Sequence, residues 1–371
     1  MKQLLSLGVF ARTLFFGGMF LSCPYSYALE IGDPAPNFLL PATDGKTYSL
    51  KDFAHAKVIC VIFTCNHCPT SQAYEDRLIA ISRDYAPRDM VVIAISPNDP
   101  LAFRVDELGY SAVEDTLDGM RLRASQKGFP FTYLYDGTDQ NASRSYGPRV
   151  TPHAFVFGKD RRLRYTGRID NAVDPAKANL RDLRSAIDQV LVGKKIRAPT
   201  TKVFGCLIKW ASRRELADKD LVRLNRETVS LKPLDDDTLS FLLSNRSKLL
   251  KLFFVWSPGT ASSEKDFPRL VEIHRRYRKR GLDIITIAAK NNLDEKGSLA
   301  FLRAQHASCH NYFIDGQTVP LFKKLGAKED VFPFIMLMKP GGEISYRRAG
   351  SLEAMELKLA ILQVLGRSFN P

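Results

Sequence analysis

The chain is poor in cysteine, with 6 in 371 residues. That is too few for a small fold held together by disulfides. Tryptophan is scarcer, with 2 residues, and acidic residues are outnumbered 40 to 54 by lysine and arginine. The formal charge of +14 raises the question of nucleic acid. Nucleic-acid platforms interleave basic residues with aromatics on one face. The basic runs here, His274-Arg275-Arg276-Tyr277-Arg278-Lys279-Arg280 and Arg161-Arg162-Leu163-Arg164, lack that pattern. The first reads as the solvated end of a helix and the second as a hairpin turn, so no nucleic-acid partner is expected. A loose attraction to an anionic membrane surface fits the charge better. The apolar stretch at the N-terminus is short and interrupted for a membrane span.

What is present suits a two-domain globular protein. The length exceeds one ordinary domain, and a hydrophobic share of 45% can fill two cores. Residues 1–28 read as an export signal. Lys2 and Arg12 supply positive charge, Leu14 to Leu21 the apolar stretch, and Ser26-Tyr27-Ala28 the small residues of a cleavage site. A rival reading takes Leu21-Ser22-Cys23 as a lipoprotein box with Cys23 as the lipidated terminus. Either way the expected location is the periplasm or otherwise outside the cytoplasm. Cleavage after Ala28 leaves Cys60, Cys65, Cys68, Cys206 and Cys309. An odd number leaves at least one thiol outside intramolecular pairs.

Apolar runs at 57–63, 90–95, 131–135 and 153–157 predict buried strands. A hairpin is expected around Asp44-Gly45. Tyr74, Leu78, Ile81 and Tyr85 recur at helical spacing, and residues 176–192 form an amphipathic helix pattern. Residues 97–130 read as an insertion of helical character. The order then returns. Strand patterns at 250–256, 282–288 and 334–338 enclose a helix stripe at Phe267, Leu270, Val271 and His274, and a last helix pattern covers 352–365. The expected fold class is α/β: two tandem folds, each a central mixed sheet flanked by helices. The expected domains are 30–192 and 241–371, joined by a linker over 193–240.

Cys65-Asn66-His67-Cys68 lies between a buried strand and a helix. Two cysteines at that spacing can make and break a disulfide with little backbone movement. The helix N-terminus favours a thiolate, and this places Cys65 there as the nucleophile with Cys68 resolving. His67, when protonated, adds a further positive influence on the thiolate. Stabilising the reduced form makes the disulfide more oxidising. Zinc would want a second ligand pair at finger spacing, and haem attachment would want His where Pro69 stands. Soft thiols leave a copper-binding module open. No cofactor or resident metal is expected.

Gly32-Asp33-Pro34-Ala35-Pro36-Asn37-Phe38, Asp44-Gly45-Lys46, Phe63-Thr64-Cys65-Asn66-His67-Cys68-Pro69 and Val150-Thr151-Pro152 together resemble the redoxin branch of the thioredoxin superfamily, the group related to alkyl hydroperoxide reductases. Within it the chain is similar to exported peroxiredoxin-like proteins with a Cys-Asn-His-Cys-Pro sequence. The resemblance implies two tandem thioredoxin-like folds, the first redox-active, and a thiol–disulfide oxidoreductase working on protein dithiols and disulfides or a membrane redox partner. It makes Thr151-Pro152 the cis-proline site, where the backbone of the preceding residue pairs with the substrate chain. A thiol peroxidase is the alternative. Peroxiredoxins carry Pro and Thr seven and three residues before the peroxidatic cysteine. Those places hold Val61 and Cys65 before Cys68, and Val58 and Ile62 before Cys65. Ile59 stands where many thioredoxins keep a buried acid, which leaves Asp99 as a candidate proton acceptor. Gly205-Cys206-Leu207-Ile208-Lys209-Trp210 resembles a segment that follows the fold in the same proteins, and Cys206 is a candidate third redox thiol.

In the second domain Thr260 and Ser263 occupy the two cysteine places, so it cannot perform disulfide chemistry. Phe332-Pro333 keeps the proline place and suggests a client-binding or scaffolding groove. His306, Cys309 and His310 offer metal-ligand types in an ordinary loop.

Overall fold

The computed structural model describes residues 29–289, 294–314, 318–327 and 331–366. The expected signal segment and the Cys23 lipidation site lie outside them. Among the described residues no helix is long and apolar enough to cross a membrane.

The first half opens with a hairpin, β1 (Leu39–Pro41) against β2 (Thr47–Ser49), turning at Asp44-Gly45. The chain continues through β3 (Val58–Phe63), α1 (Pro69–Tyr85), β4 (Met90–Ser96), α2 (Leu117–Lys127), β5 (Thr132–Tyr135), α3 (Asn141–Tyr146), β6 (Val150–Thr151), β7 (His153–Phe157), β8 (Leu163–Gly167) and α4 (Asp182–Leu191). The sheet order is β5-β4-β3-β7-β8, with β3, β4 and β5 parallel and β7 and β8 antiparallel. Every residue of β3 is buried because helices cover both sheet faces. On one face Tyr74, Leu78, Ile81 and Tyr85 of α1 meet Val58, Cys60 and Ile62. Each such aliphatic side chain contributes about 2 kcal/mol on burial. The opposite face packs Ile59, Val61 and Phe63 with Tyr146 and Phe155.

The second half runs through β9 (Cys206–Leu207), α5 (Arg214–Asn225), β10 (Lys232–Pro233), α6 (Asp236–Ser244), β11 (Leu250–Trp256), α7 (Ala261–Glu264), α8 (Phe267–Tyr277), β12 (Leu282–Ala289), α9 (Glu295–Ala304), β13 (His310–Ile314), α10 (Thr318–Leu325), β14 (Phe334–Met338), β15 (Ile344–Ala349) and α11 (Ala354–Leu365). Its sheet order, β10-β13-β12-β11-β14-β15, repeats the first sheet strand for strand, with β10 added at one edge. The fold class is thus α/β with two mixed sheets. Residues 193–240 are more than a linker: β9 pairs with the first half and β10 with the second sheet.

The basic run at the end of α8 is largely withdrawn from solvent, with Lys279 exposed. The Arg276 side chain is 0% exposed, because α8 packs against residues 105–114 of the insertion. Arg276 Nε donates to the Leu108 carbonyl at 2.9 Å and Nη2 to the Ser111 carbonyl at 2.8 Å. Its charge pairs with Glu272 at 2.9 Å and Glu114 at 3.3 Å. Lys279 pairs with Asp106, and Arg280 donates to the Gly109 carbonyl. A Cβ at Gly109 would stand 2.6 Å from the Arg276 carbonyl oxygen, so a side chain there would push the two elements apart. Ala112 belongs to the core of the second sheet. The insertion therefore joins the two halves.

Candidate functional site

The CxxC segment leaves β3 and enters α1. Proline at N1 suits a helix start, where an N–H has no partner anyway. With Pro69 at N1, the N-cap is Cys68. This corrects the expectation that Cys65 occupies the helix N-terminus. The Ser71 N–H donates to Cys68 Sγ at 3.4 Å. Cys65 lies one turn earlier, its sulfur 3.0 Å from Thr151 Oγ1 and 3.8 Å from Ser71 Oγ. Cys68 Sγ is 3.3 Å from the Thr151 carbonyl oxygen. Thr151 thus touches both sulfurs, and the Thr151–Pro152 peptide is cis. The side chains are closed off: Cys65 is 3% and Cys68 0% exposed.

Electrostatics divides the pair. Burial alone would raise the Cys68 thiol, but hydrogen bonds from the Cys206 and Cys65 thiols, the field of His67 and the Ser71 N–H outweigh it and hold Cys68 well below the usual thiol range. Burial, the hydrogen bond to Cys68 and the nearby Asp115 charge push Cys65 up. These surroundings favour negative charge on Cys68 over Cys65 in the reduced site, and the field of His67 acts in that direction.

Asp115, from the insertion, organises the loop. Its Oδ1 accepts the Asn66 N–H at 2.7 Å and the His67 N–H at 3.1 Å. Its Oδ2 meets His67 Nδ1 at 2.7 Å and Asn98 Nδ2 at 2.7 Å. Burial would raise this carboxyl, but His67, Asn98 and the Asn66 N–H lower it, so it is a carboxylate. The neighbouring Glu114 carbonyl accepts from Asn66 Nδ2 at 2.7 Å. His67 stacks edge-on against Phe103, 4.7 Å between centroids. Its Nε2 is buried with no hydrogen-bond partner among the described residues.

Asp99 is not at the sulfurs. Its side chain is buried, caps the turn at Leu101 and pairs with Arg214 at 2.6 Å. The acid of this site is Asp115, which the sequence reading missed because residues 97–130 carry no regular hydrophobic period.

Cys206 is brought in by β9, which pairs antiparallel with β6 and sets Cys206 opposite Thr151. The nearby Cys68, together with burial, raises its thiol. Cys60 is in the core, and burial raises it strongly. In the second half Ser263 Oγ accepts the Ser257 N–H at 3.3 Å and Thr260 donates to the Ser257 carbonyl. Phe332–Pro333 is also cis, but no thiol accompanies it. Cys309 is buried and pushed up to about 12, while His310 pairs with Asp283 at 2.8 Å. Cys65, His67 and Asp115 each bring one ligand-type atom, all within 4.8 Å of one another. Both Asp115 oxygens are already engaged, so the trio reads as a hydrogen-bonded ion pair beside a thiol. A cleft of about 1180 Å³ between the halves is lined by Pro69, Gln72, Arg123, Tyr346 and Leu359, and by neither redox cysteine.

Comparison with known proteins places this geometry. Residues 30–183 match the Redoxin family model. "Putative peroxiredoxin bcp" of Helicobacter pylori is 32% identical over 71 residues, 19% of this chain and 47% of that protein. The chain spans about half the length of the curated relatives it matches. A hypothetical protein from Sinorhizobium meliloti is 32% identical, covering 50% of this chain and 97% of its own, with a TM-score of 0.44. The thioredoxin domain of a thiol-disulfide oxidoreductase from Bacteroides vulgatus is 15% identical, covering 44% and 99%, with a TM-score of 0.33. Over residues 30–183 this chain matches the redoxins of the thioredoxin superfamily.

Proposed function

We propose that the protein is an exported thiol–disulfide oxidoreductase that cycles a Cys65–Cys68 disulfide. The observation carrying this reading is the pair itself: two sulfurs at the head of α1, both against Thr151, with the thiolate stabilised on one of them. The low-pKa Cys68 thiolate is a good leaving group when a disulfide is reduced and a competent nucleophile when one is formed. His67, held by Asp115, supports that thiolate. Protein dithiols and disulfides, or a membrane redox partner, are the proposed substrates. The second domain contributes support for the insertion and a thiol-free groove at Pro333 suited to client binding.

The test is catalysed exchange between a dithiol peptide and glutathione disulfide by the full chain. Cys68→Ser should abolish the cycle and Cys65→Ser should impair it, and peptide mapping of the oxidised protein should find Cys65 joined to Cys68. Full turnover in Cys68→Ser would exclude the reading. The likeness to the Helicobacter protein favours thiol peroxidase as a second reading. Val61 and Val58, in place of the peroxidatic proline, weigh against it.

A further inference from the structure

We propose that Cys206 is the third thiol of the redox centre and the point at which outside thiols enter it. This rests on the oxidoreductase reading above and extends it. Three observations converge. First, β9 fills the open edge of β6, with Cys206 opposite Thr151, the residue that touches both Cys65 and Cys68. The strand added to the site is a piece of the same chain, and its first residue is a cysteine. Second, the segment is built in. Ile208 and Lys209 are buried. The Lys209 N–H donates to Asn98 Oδ1 at 2.8 Å, and its carbonyl accepts the Asp99 N–H at 2.9 Å and Gln140 Nε2 at 2.9 Å. Gly205 adopts φ +148°, and a Cβ there would stand 2.1 Å from the Thr151 carbonyl oxygen. Glycine is what lets β9 come this close. Third, among these three thiols Cys206 is the one partly open to solvent, while the other two are closed.

The chemistry follows from that register, which sets Cys206 beside the residue that touches both sulfurs. Starting from the Cys65–Cys68 disulfide, Cys206 gives up its proton and its sulfur attacks Cys68. The Cys65–Cys68 bond breaks, a Cys68–Cys206 bond forms, and the proton ends on the Cys65 sulfur released. The oxidation state is unchanged, and no external oxidant is needed. An incoming client thiol then attacks Cys206 and loses its proton. Cys68 leaves as the thiolate that its surroundings stabilise. A second client thiol attacks the client sulfur of that mixed disulfide. The client leaves as its own disulfide, and Cys206 recovers its proton.

Two variants of the full chain test this. Reduced Cys65→Ser protein, treated with glutathione disulfide, should yield a Cys68–Cys206 disulfide in peptide maps without reductant. Glutathione accumulating on Cys68, with Cys206 free, would overturn the proposal. In Cys206→Ser, glutathione should reduce the Cys65–Cys68 disulfide about tenfold more slowly, because the remaining sulfurs are shielded. An unchanged rate would overturn it too. Failure of the wild-type chain to form any Cys65–Cys68 disulfide would defeat the oxidoreductase reading together with this one. A normal Cys65–Cys68 disulfide with no Cys68–Cys206 link in Cys65→Ser would defeat this one alone.

Discussion

Asp115→Asn separates the charge of the loop anchor from its shape. Asparagine keeps the size and one acceptor oxygen, so the Asn66 and His67 N–H contacts survive, while its NH2 meets Asn98 Nδ2 donor to donor. It removes the carboxylate that faces His67 Nδ1 at 2.7 Å in a site where both partners are buried. Breaking a buried pair from one side costs about 3–5 kcal/mol. The retained hydrogen bonds should bring the loss toward the lower figure in urea unfolding. The redox effect follows from the same change. Without the carboxylate that holds its ring, His67 is less firmly placed beside Cys68 and supports its thiolate less. A rise of one pH unit in the thiol pKa corresponds to about 1.4 kcal/mol, or about 30 mV for a two-electron couple. The disulfide should become less oxidising by about that amount in a glutathione titration. The pH dependence of Cys68 alkylation should move upward together with it. A potential that stays put, or becomes more oxidising, would refute the assignment of His67 and Asp115 to the Cys68 thiolate.

Further outcomes follow from other parts of the structure. Arg276→Met should cost about 1–3 kcal/mol in denaturant unfolding, because it leaves the Leu108 carbonyl without its donor; an unaltered midpoint would dismiss the clamp. His153 and His274 are held neutral, chiefly by burial, each lowered to about 4. The unfolded chain binds those protons below about pH 6.5 and the folded chain does not until about 4, so stability should fall as pH drops across that window. Each shift represents at most about 3 kcal/mol, and His153→Asn should flatten the measured pH profile. Hydrogen peroxide should oxidise the reduced site no faster than an ordinary low-pKa thiol; stopped-flow rates typical of a dedicated peroxidase would favour the second reading.

The sequence shows the redox pair and the strand that meets it because both depend on local signals. Cys65 and Cys68 follow a continuous apolar run, and Thr151-Pro152 opens another. The repeated pattern around Leu250 to Trp256 and Phe334 to Met338 is visible for the same reason. What escapes is whatever depends on contact between distant segments. Asp115 reaches His67 because the insertion is pinned from the far side by Arg276, and neither segment's own period reveals the other. The same contact turns a basic run that looks solvated into a buried clamp. The strand β9 spans just Cys206–Leu207, too short to show any alternation. One signal was present and carried further than its first reading: Pro69 at N1 makes Cys68, not Cys65, the N-cap.

The central claim is that this is a working dithiol pair with its thiolate on Cys68. Its most direct test is the reduction potential of the Cys65–Cys68 disulfide, read by equilibrating the full chain in glutathione buffers and quantifying the pair by mass spectrometry. The account predicts a two-electron transition, less reducing than the roughly −270 mV of thioredoxin, with Cys68 the faster thiol toward iodoacetamide once reduced. A pair that never joins, a potential more negative than that value, or Cys65 reacting first at neutral pH would contradict it.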